Sequence, residues 1–203
     1  MKILASLTAQ EMHFHSILLA VAMMAATAPS VAAEFQPNIM IILADDLGFS
    51  DIGAYGSEIN TPRLDELAAG GLRYTQFYST ARCWPTRGAL LTGYYAQQIG
   101  RDGLSRLGLR GNRQRPTWAP LLPALLKSAG YRSYHCGKWH IDGTPEAGGF
   151  DRSYLVEDHD RHLGVQNHSQ DGRRLPPEVP DGGYYTSHAI AERAIEFLRQ
   201  HKR

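Results

Sequence analysis

Apolar residues gather in short blocks separated by glycine, proline and charged residues, and the blocks alternate between two periods. Asn38 to Ala44 (Asn-Ile-Met-Ile-Ile-Leu-Ala) is continuously apolar after its first residue, the pattern of a strand buried on both faces of a parallel sheet. Leu72 to Ser79, with Tyr74, Phe77 and Tyr78, is rich in residues that favour strands, and Tyr131 to Cys136 reads as a third strand. Between them lie helical blocks. Thr61-Pro62 is a cap followed by proline at the first helical position, Leu64, Leu67 and Ala68 form one face, and Gly70-Gly71 stops the run. Pro120 to Ser128 predicts a short helix that tolerates Pro123 only near its start. Tyr184 to Arg203 predicts a longer one, with Ile190, Ala194, Phe197 and Leu198 on a single stripe and no cap at its end.

One further helix begins at an unusual place. In Cys83-Trp84-Pro85-Thr86-Arg87-Gly88-Ala89-Leu90-Leu91-Thr92-Gly93, Pro85 suits a first turn, Ala89 to Leu91 propagate, and Gly93 ends the helix. Cys83 then sits at a helix N-terminus, where unpaired N–H groups favour anions. Arg87, one turn on, leans back over the same spot, and its guanidinium suits flat oxyanions. Asp45-Asp46 follows the first strand, with Gly48 to turn the chain. Two adjacent carboxylates at a strand end can converge on a cation, and hard oxygen donors point to calcium or magnesium; a helix cap or a solvated turn is the plainer alternative. After the third strand, Lys138 and His140 stand two apart and share a face in extended chain, a pairing of charge and proton donor that suits a sulfuryl group, though such a pair is also common on surfaces.

These three segments together resemble the sulfatases. Cys-Trp-Pro-Thr-Arg fits their Cys-x-Pro-x-Arg core, with Thr86 where many members carry serine; Ala-Asp-Asp-Leu-Gly resembles their opening metal motif, and Gly-Lys-Trp-His their third block. The resemblance covers Pro37 to about the C-terminus. It implies a three-layer α/β/α sandwich like that of alkaline phosphatase, present here only in its N-terminal part (34–203). It implies that Cys83 is oxidised to formylglycine by a formylglycine-generating enzyme or equivalent, and that the hydrated aldehyde is the nucleophile. By the same resemblance Asp45, Asp46 and residue 83 hold the Ca2+ or Mg2+, Arg87 and Lys138 hold the sulfate, and His140 both contacts it and assists the leaving group. Family members continue with a strand bearing a site histidine, an Asp-Asn or Asp-His pair and a further lysine, which have no counterpart in this sequence. Three other readings stay open: a phosphodiester or phosphonate monoester hydrolase of the same superfamily, a truncated fragment that only binds anions, and an enzyme using the Cys83 thiolate directly.

Composition narrows these readings. A formal charge of +1 over 203 residues gives no broad nucleic-acid surface. Two cysteines, Cys83 and Cys136, make no disulfide framework, though one bridge is conceivable, and Cys136 reads as a small buried hydrophobe. Ile17 to Ala28 is apolar but shorter than the roughly 20 residues that cross a bilayer, and Val31-Ala32-Ala33 offers the small residues of a cleavage site. Residues 1–33 are therefore expected to be a signal peptide, with an uncleaved anchor as the alternative, and the body to be periplasmic or secreted without a stable membrane span. Gly100 to Arg115 reads as a basic surface loop, with attraction of an anionic substrate by its arginines as the alternative, His135 as structural, and Asp158 to Gly172 as a variable polar loop on the substrate side, with a transition-metal site among His159, His162 and His168 as the alternative.

Overall fold

The computed structural model describes residues 36–103, 114–158 and 160–201. The described residues fall into two units, 36–44 in the first and 45 onward in the second. In the first, 36–44 is extended without a ladder partner among the described residues, and Ile39, Met40, Ile41, Ile42 and Leu43 are exposed. The strand expected at 38–44 is therefore not formed here. The signal peptide expected at 1–33 lies outside the described residues.

The second unit is built on a four-stranded mixed sheet in the order β1-β2-β3-β4. β1 (Tyr134–Gly137) runs parallel to β2 (Arg152–Val156), with Tyr134 opposite Arg152 and Gly137 opposite Leu155. β2 pairs antiparallel with β3 (His168–Gln170), which turns back into β4 (Arg173–Arg174). Asp171 and Gly172, at φ 50° and 75°, make that turn; two left-handed residues are what a two-residue hairpin with the right twist requires. The polar stretch ending at Gly172 is thus partly sheet, not loop. His168 is buried in it, its ring nitrogens bonded to the Tyr154 hydroxyl (3.0 Å) and the Pro176 carbonyl (2.6 Å), so this histidine is structural. His159 lies outside the described residues.

Four α-helices accompany this sheet among the described residues. α1 is Pro62–Gly70, α2 Cys83–Thr92, α3 Leu122–Lys127 and α4 Thr186–Gln200. α4 packs on β1 and β2 around Tyr154, Val156, Val165 and Phe197, with Tyr134, Cys136, Ala189 and Ile190 at the margin. Phe197 and Ile190 match the expected stripe, but Leu198 is half exposed, because one residue round the helix is enough to leave the core face. Burial pushes the Cys136 thiol up to about 11, as befits a core residue, and both cysteines are free. The strand expected over 72–79 is also absent: the segment forms no ladder among the described residues, and Leu72, Phe77 and Tyr78 are almost fully exposed.

The turn at Gly148-Gly149 closes the passage from β1 to β2. A Cβ on Gly149 would stand 2.7 Å from the Ala124 backbone nitrogen, and its φ is 101°. Gly149→Ala is expected to destabilise the protein by about 2 kcal/mol through strain and collision with α3 backbone that has no room to yield, read as a lower urea midpoint with unchanged slope.

Candidate functional site

The three sequence motifs meet in the second unit. α2 starts at Cys83, with Arg82 extended at the cap, Pro85 buried in the first turn, and Gly93 at φ 74° sending its N–H to the Ala89 carbonyl (2.8 Å). The Thr86 hydroxyl lies 2.9 Å from the Thr80 hydroxyl and accepts from the Thr80 N–H (3.3 Å), so it ties the incoming chain to the helix. Any hydroxyl there would serve, which is why threonine in place of serine does not disturb the turn.

The aspartates are held by their own local frame. Asp51 reaches back to the Gly48 N–H (2.7 Å), while Thr61 and Asp65 at the start of α1 accept from Gly53 (2.8 Å) and Ala54 (2.7 Å). On the other side, β1 ends at Gly137, where φ is 113° and a Cβ would stand 3.2 Å from Ile190 of α4. The chain can therefore leave the sheet sharply and present Lys138 to His140.

Asp45 is the point of convergence. Lys138 Nζ donates to its Oδ2 (2.6 Å), and Arg87 Nη2 lies 3.7 Å from its Oδ1. Arg87 Nη1 donates to the Lys138 backbone carbonyl, linking α2 to the segment after β1. One ligand atom each from Asp45, Asp46 and Cys83 lies within 4.8 Å of the others. His140 sets its ring edge-on to Trp84, with centroids 5.3 Å apart, and Arg82 lies over the same indole at 5.4 Å. Thus Asp45, Asp46, Cys83, Arg87 and Lys138 are brought together directly, and His140 joins them through Trp84. Lys138 and His140 do not share a strand face as expected, since β1 has already ended.

Each segment carries one non-glycine residue in the left-handed region: Asp46 (φ 57°), Ala81 (φ 59°) and His140 (φ 57°). Asp and His tolerate this better than alanine, which loses about 1 kcal/mol there. Such strain collects where a fold must aim functional groups. The ion pairs at Asp45 cannot be explained by stability, because its side chain is 38% exposed and such pairs contribute about 1 kcal/mol at most.

Sequence reasoning missed Trp84 and the arginine clasp. Arg101 is buried and Arg115 pairs with Asp142 at 3.5 Å, so the ends of the basic loop point inward rather than into solvent. Residues 104–113 lie outside the described residues. The Asp142 carboxylate, two positions after His140, was the available signal, since an acid beside a site rich in arginine needs a partner.

A sulfatase family profile matches residues 37–203. The chain belongs to the sulfatase family. It is 39% identical to bovine (Bos taurus) arylsulfatase A over 168 residues, 78% of this chain and 32% of that protein. Among solved structures, the PsFucS1 sulfatase from Pseudoalteromonas sp. superposes with a TM-score of 0.62 over 96% of this chain and 45% of its own, at 24% identity, a likeness of fold. BT4656, solved with its substrate D-glucosamine-2-N,6-O-disulfate, aligns with a TM-score of 0.59 and 27% identity over 75% of this chain and 29% of that one. The sulfatase chain described here spans about a third of the length of the curated relatives it matches. Its mixed sheet with helices is part of the α/β fold of those neighbours, as the resemblance implied. No helix among the described residues is long and apolar enough to cross a membrane.

Proposed function

We propose that this sulfatase chain carries the nucleophile and cation-binding side of a sulfate-ester hydrolase site. The observation that carries the reading is the approach of Asp45, Asp46 and Cys83 to within 4.8 Å, with Lys138 and Arg87 both reaching Asp45. The donor set bears on the cation. Two carboxylates suit Ca2+ or Mg2+, but a sulfur beside them does not, because hard cations prefer oxygen. Replacing that sulfur by the oxygen of a formylglycine hydrate makes the set uniformly hard, which supports conversion of Cys83 by a formylglycine-generating enzyme. A bound cation would supply charge neutralisation and polarise the sulfate oxygens.

The residues then divide the work. A hydroxyl of the hydrated residue 83 attacks sulfur. Arg87 and Lys138 hold the sulfate oxygens, so positive charge is already in place as the oxyanion develops. His140, kept against Trp84, gives a proton to the departing alcohol or phenol. The disulfated sugar bound by the BT4656 neighbour makes sulfated carbohydrates a reasonable first class to test. Export to the periplasm or medium is part of the proposal, and the apolar run 17–28 followed by Val31-Ala32-Ala33 supports it.

The test is in two parts. The full chain, expressed with a formylglycine-generating enzyme, is assayed on an aryl sulfate and an aryl phosphodiester, and the peptide containing Cys83 is weighed. Expected are turnover of the sulfate in preference to the diester and a peptide in which sulfur has given way to oxygen. Preference for the diester would move the chain to the phosphodiester reading. Anion binding without turnover, despite conversion of residue 83, would leave only an anion-binding fragment.

A further inference from the structure

We infer that Trp139 is a positioning residue for His140: its indole N–H closes the turn 139–143 and so fixes where the imidazole points. This rests on the proposed place of His140 beside the sulfate ester.

The indole is gripped from several sides. Trp139 is buried, with its ring edge-on to His135 (centroids 5.2 Å apart) and to Phe150 (5.7 Å). It also lies against the Gly148 turn, where a Cβ would come within 3.2 Å of its Cη2. A ring packed in this way has little freedom to turn, so packing sets the direction of its N–H. That N–H donates to the Gly143 carbonyl at 3.1 Å.

The bond ties off a short loop of chain. His140 and Gly143, at φ 57° and 69°, are both in the left-handed region. Glycine adopts that conformation freely, whereas histidine does so at a cost and stays there only if its surroundings hold it. The indole bond holds the far end of the turn. Beside it, Asp142 reaches Arg115 (3.5 Å), and Arg115 is itself bonded to the Ala119 carbonyl (2.6 Å). From backbone fixed at these two points, the His140 ring comes out edge-on to Trp84, at the start of α2. The two tryptophans therefore act differently. Trp84 meets the imidazole itself, and Trp139 acts on it through the backbone.

The experiment removes the indole N–H and leaves a ring. Trp139→Phe does so with some loss of volume. Installing β-(3-benzothienyl)alanine at position 139, with sulfur in place of the N–H, does so at nearly equal volume. The full chain is treated with diethyl pyrocarbonate at neutral pH, which carbethoxylates accessible neutral imidazoles, and labelling of His140 and His168 is followed by peptide mass spectrometry. His168 reports global opening, since it is buried with both ring nitrogens bonded. With the turn untied, the ratio of His140 to His168 labelling is expected to rise about tenfold in both variants, the size that goes with one lost hydrogen bond. An unchanged ratio in the benzothienyl variant would overturn the inference whatever Trp139→Phe does, because a role confined to stability raises both histidines together or neither. Inorganic sulfate tests the underlying reading separately. If it fails to slow His140 labelling in the wild type, the place of His140 beside the ester is refuted, and the ratio in the variants still judges Trp139.

Discussion

Replacing Asp45 by asparagine is expected to weaken Ca2+ binding by more than about 100-fold, since losing even a supporting partner of a metal ligand typically costs 10- to 100-fold and Asp45 is proposed as a ligand itself. Asparagine keeps the shape and one carbonyl oxygen but removes a full negative charge. The cation would then meet Asp46 alone on the acidic side, with the Lys138 ammonium and the Arg87 guanidinium no longer neutralised nearby. Both effects act in the same direction. Calorimetric titration of the full chain with CaCl2 checks this, with Asp51→Asn as a control, because Asp51 caps a local turn at the Gly48 N–H outside the cluster of ligand atoms. Equal affinities for the wild type and Asp45→Asn would remove Asp45 from the metal shell. Stability should change far less than affinity, since the partly exposed ion pairs contribute little to folding.

Lowering the pH from 7 to 4 is expected to cost the protein about 3 kcal/mol through His135 alone. Burial pushes its pKa down from 6.5 to about 4, against a smaller upward push from the Lys138 backbone; Arg87 also lowers it and Glu146 raises it. Between those values the unfolded chain binds a proton that the folded chain refuses. The stabilisation is complete above 6.5, declines as the pH falls towards 4, and levels off below. A gap of about 2.5 pH units at 1.36 kcal/mol per unit sets the size. Carboxylates act in a lower window. Burial opposes the charge on Glu146, but bonds led by the Ser153 hydroxyl outweigh it, and the Asn167 amide leads in holding Asp158 low. The Glu146 contribution is fully present only above about 4.5 and that of Asp158 only above about 3.8, each being lost as the pH falls further, so most of the His135 loss comes first. Urea unfolding at pH 7 and pH 4.5 should show a smaller acid loss in His135→Phe than in the wild type; identical losses would mean that this histidine is not the buried base.

What the sequence revealed about the site, and what it did not, follows from how local each feature is. The helix from Cys83 was legible because Pro85, the Ala89–Leu91 run and Gly93 decide it within one stretch of chain. Thr61-Pro62 and the α3 segment were legible for the same reason. The convergence of Asp45, Arg87 and Lys138 was legible only through the resemblance, since no spacing rule joins residues so far apart. The strands expected at 38–44 and 72–79 failed because apolar, β-favouring residues state a preference, whereas a strand exists only where a neighbour accepts its hydrogen bonds. Conversely, Asp171-Gly172 is a strong hairpin signal for β3 and β4, but the polar residues around it lack the alternation of apolar and polar positions that marks a strand. The burial of His135 depends on the rings of Trp139 and Phe150 brought in by folding, and no side-chain pattern in the sequence records them.

The pairing of Asp45 with Lys138 spans 93 positions, and that of Arg87 with the Lys138 carbonyl spans 51. Closing chain segments of that length forfeits entropy well before any contact compensates for it, whereas the first turns of α2 close over three or four residues. The pocket is accordingly one of the last parts of the molecule to assemble, and under partial denaturation it should come apart while the helix that bears Cys83 still holds its turns.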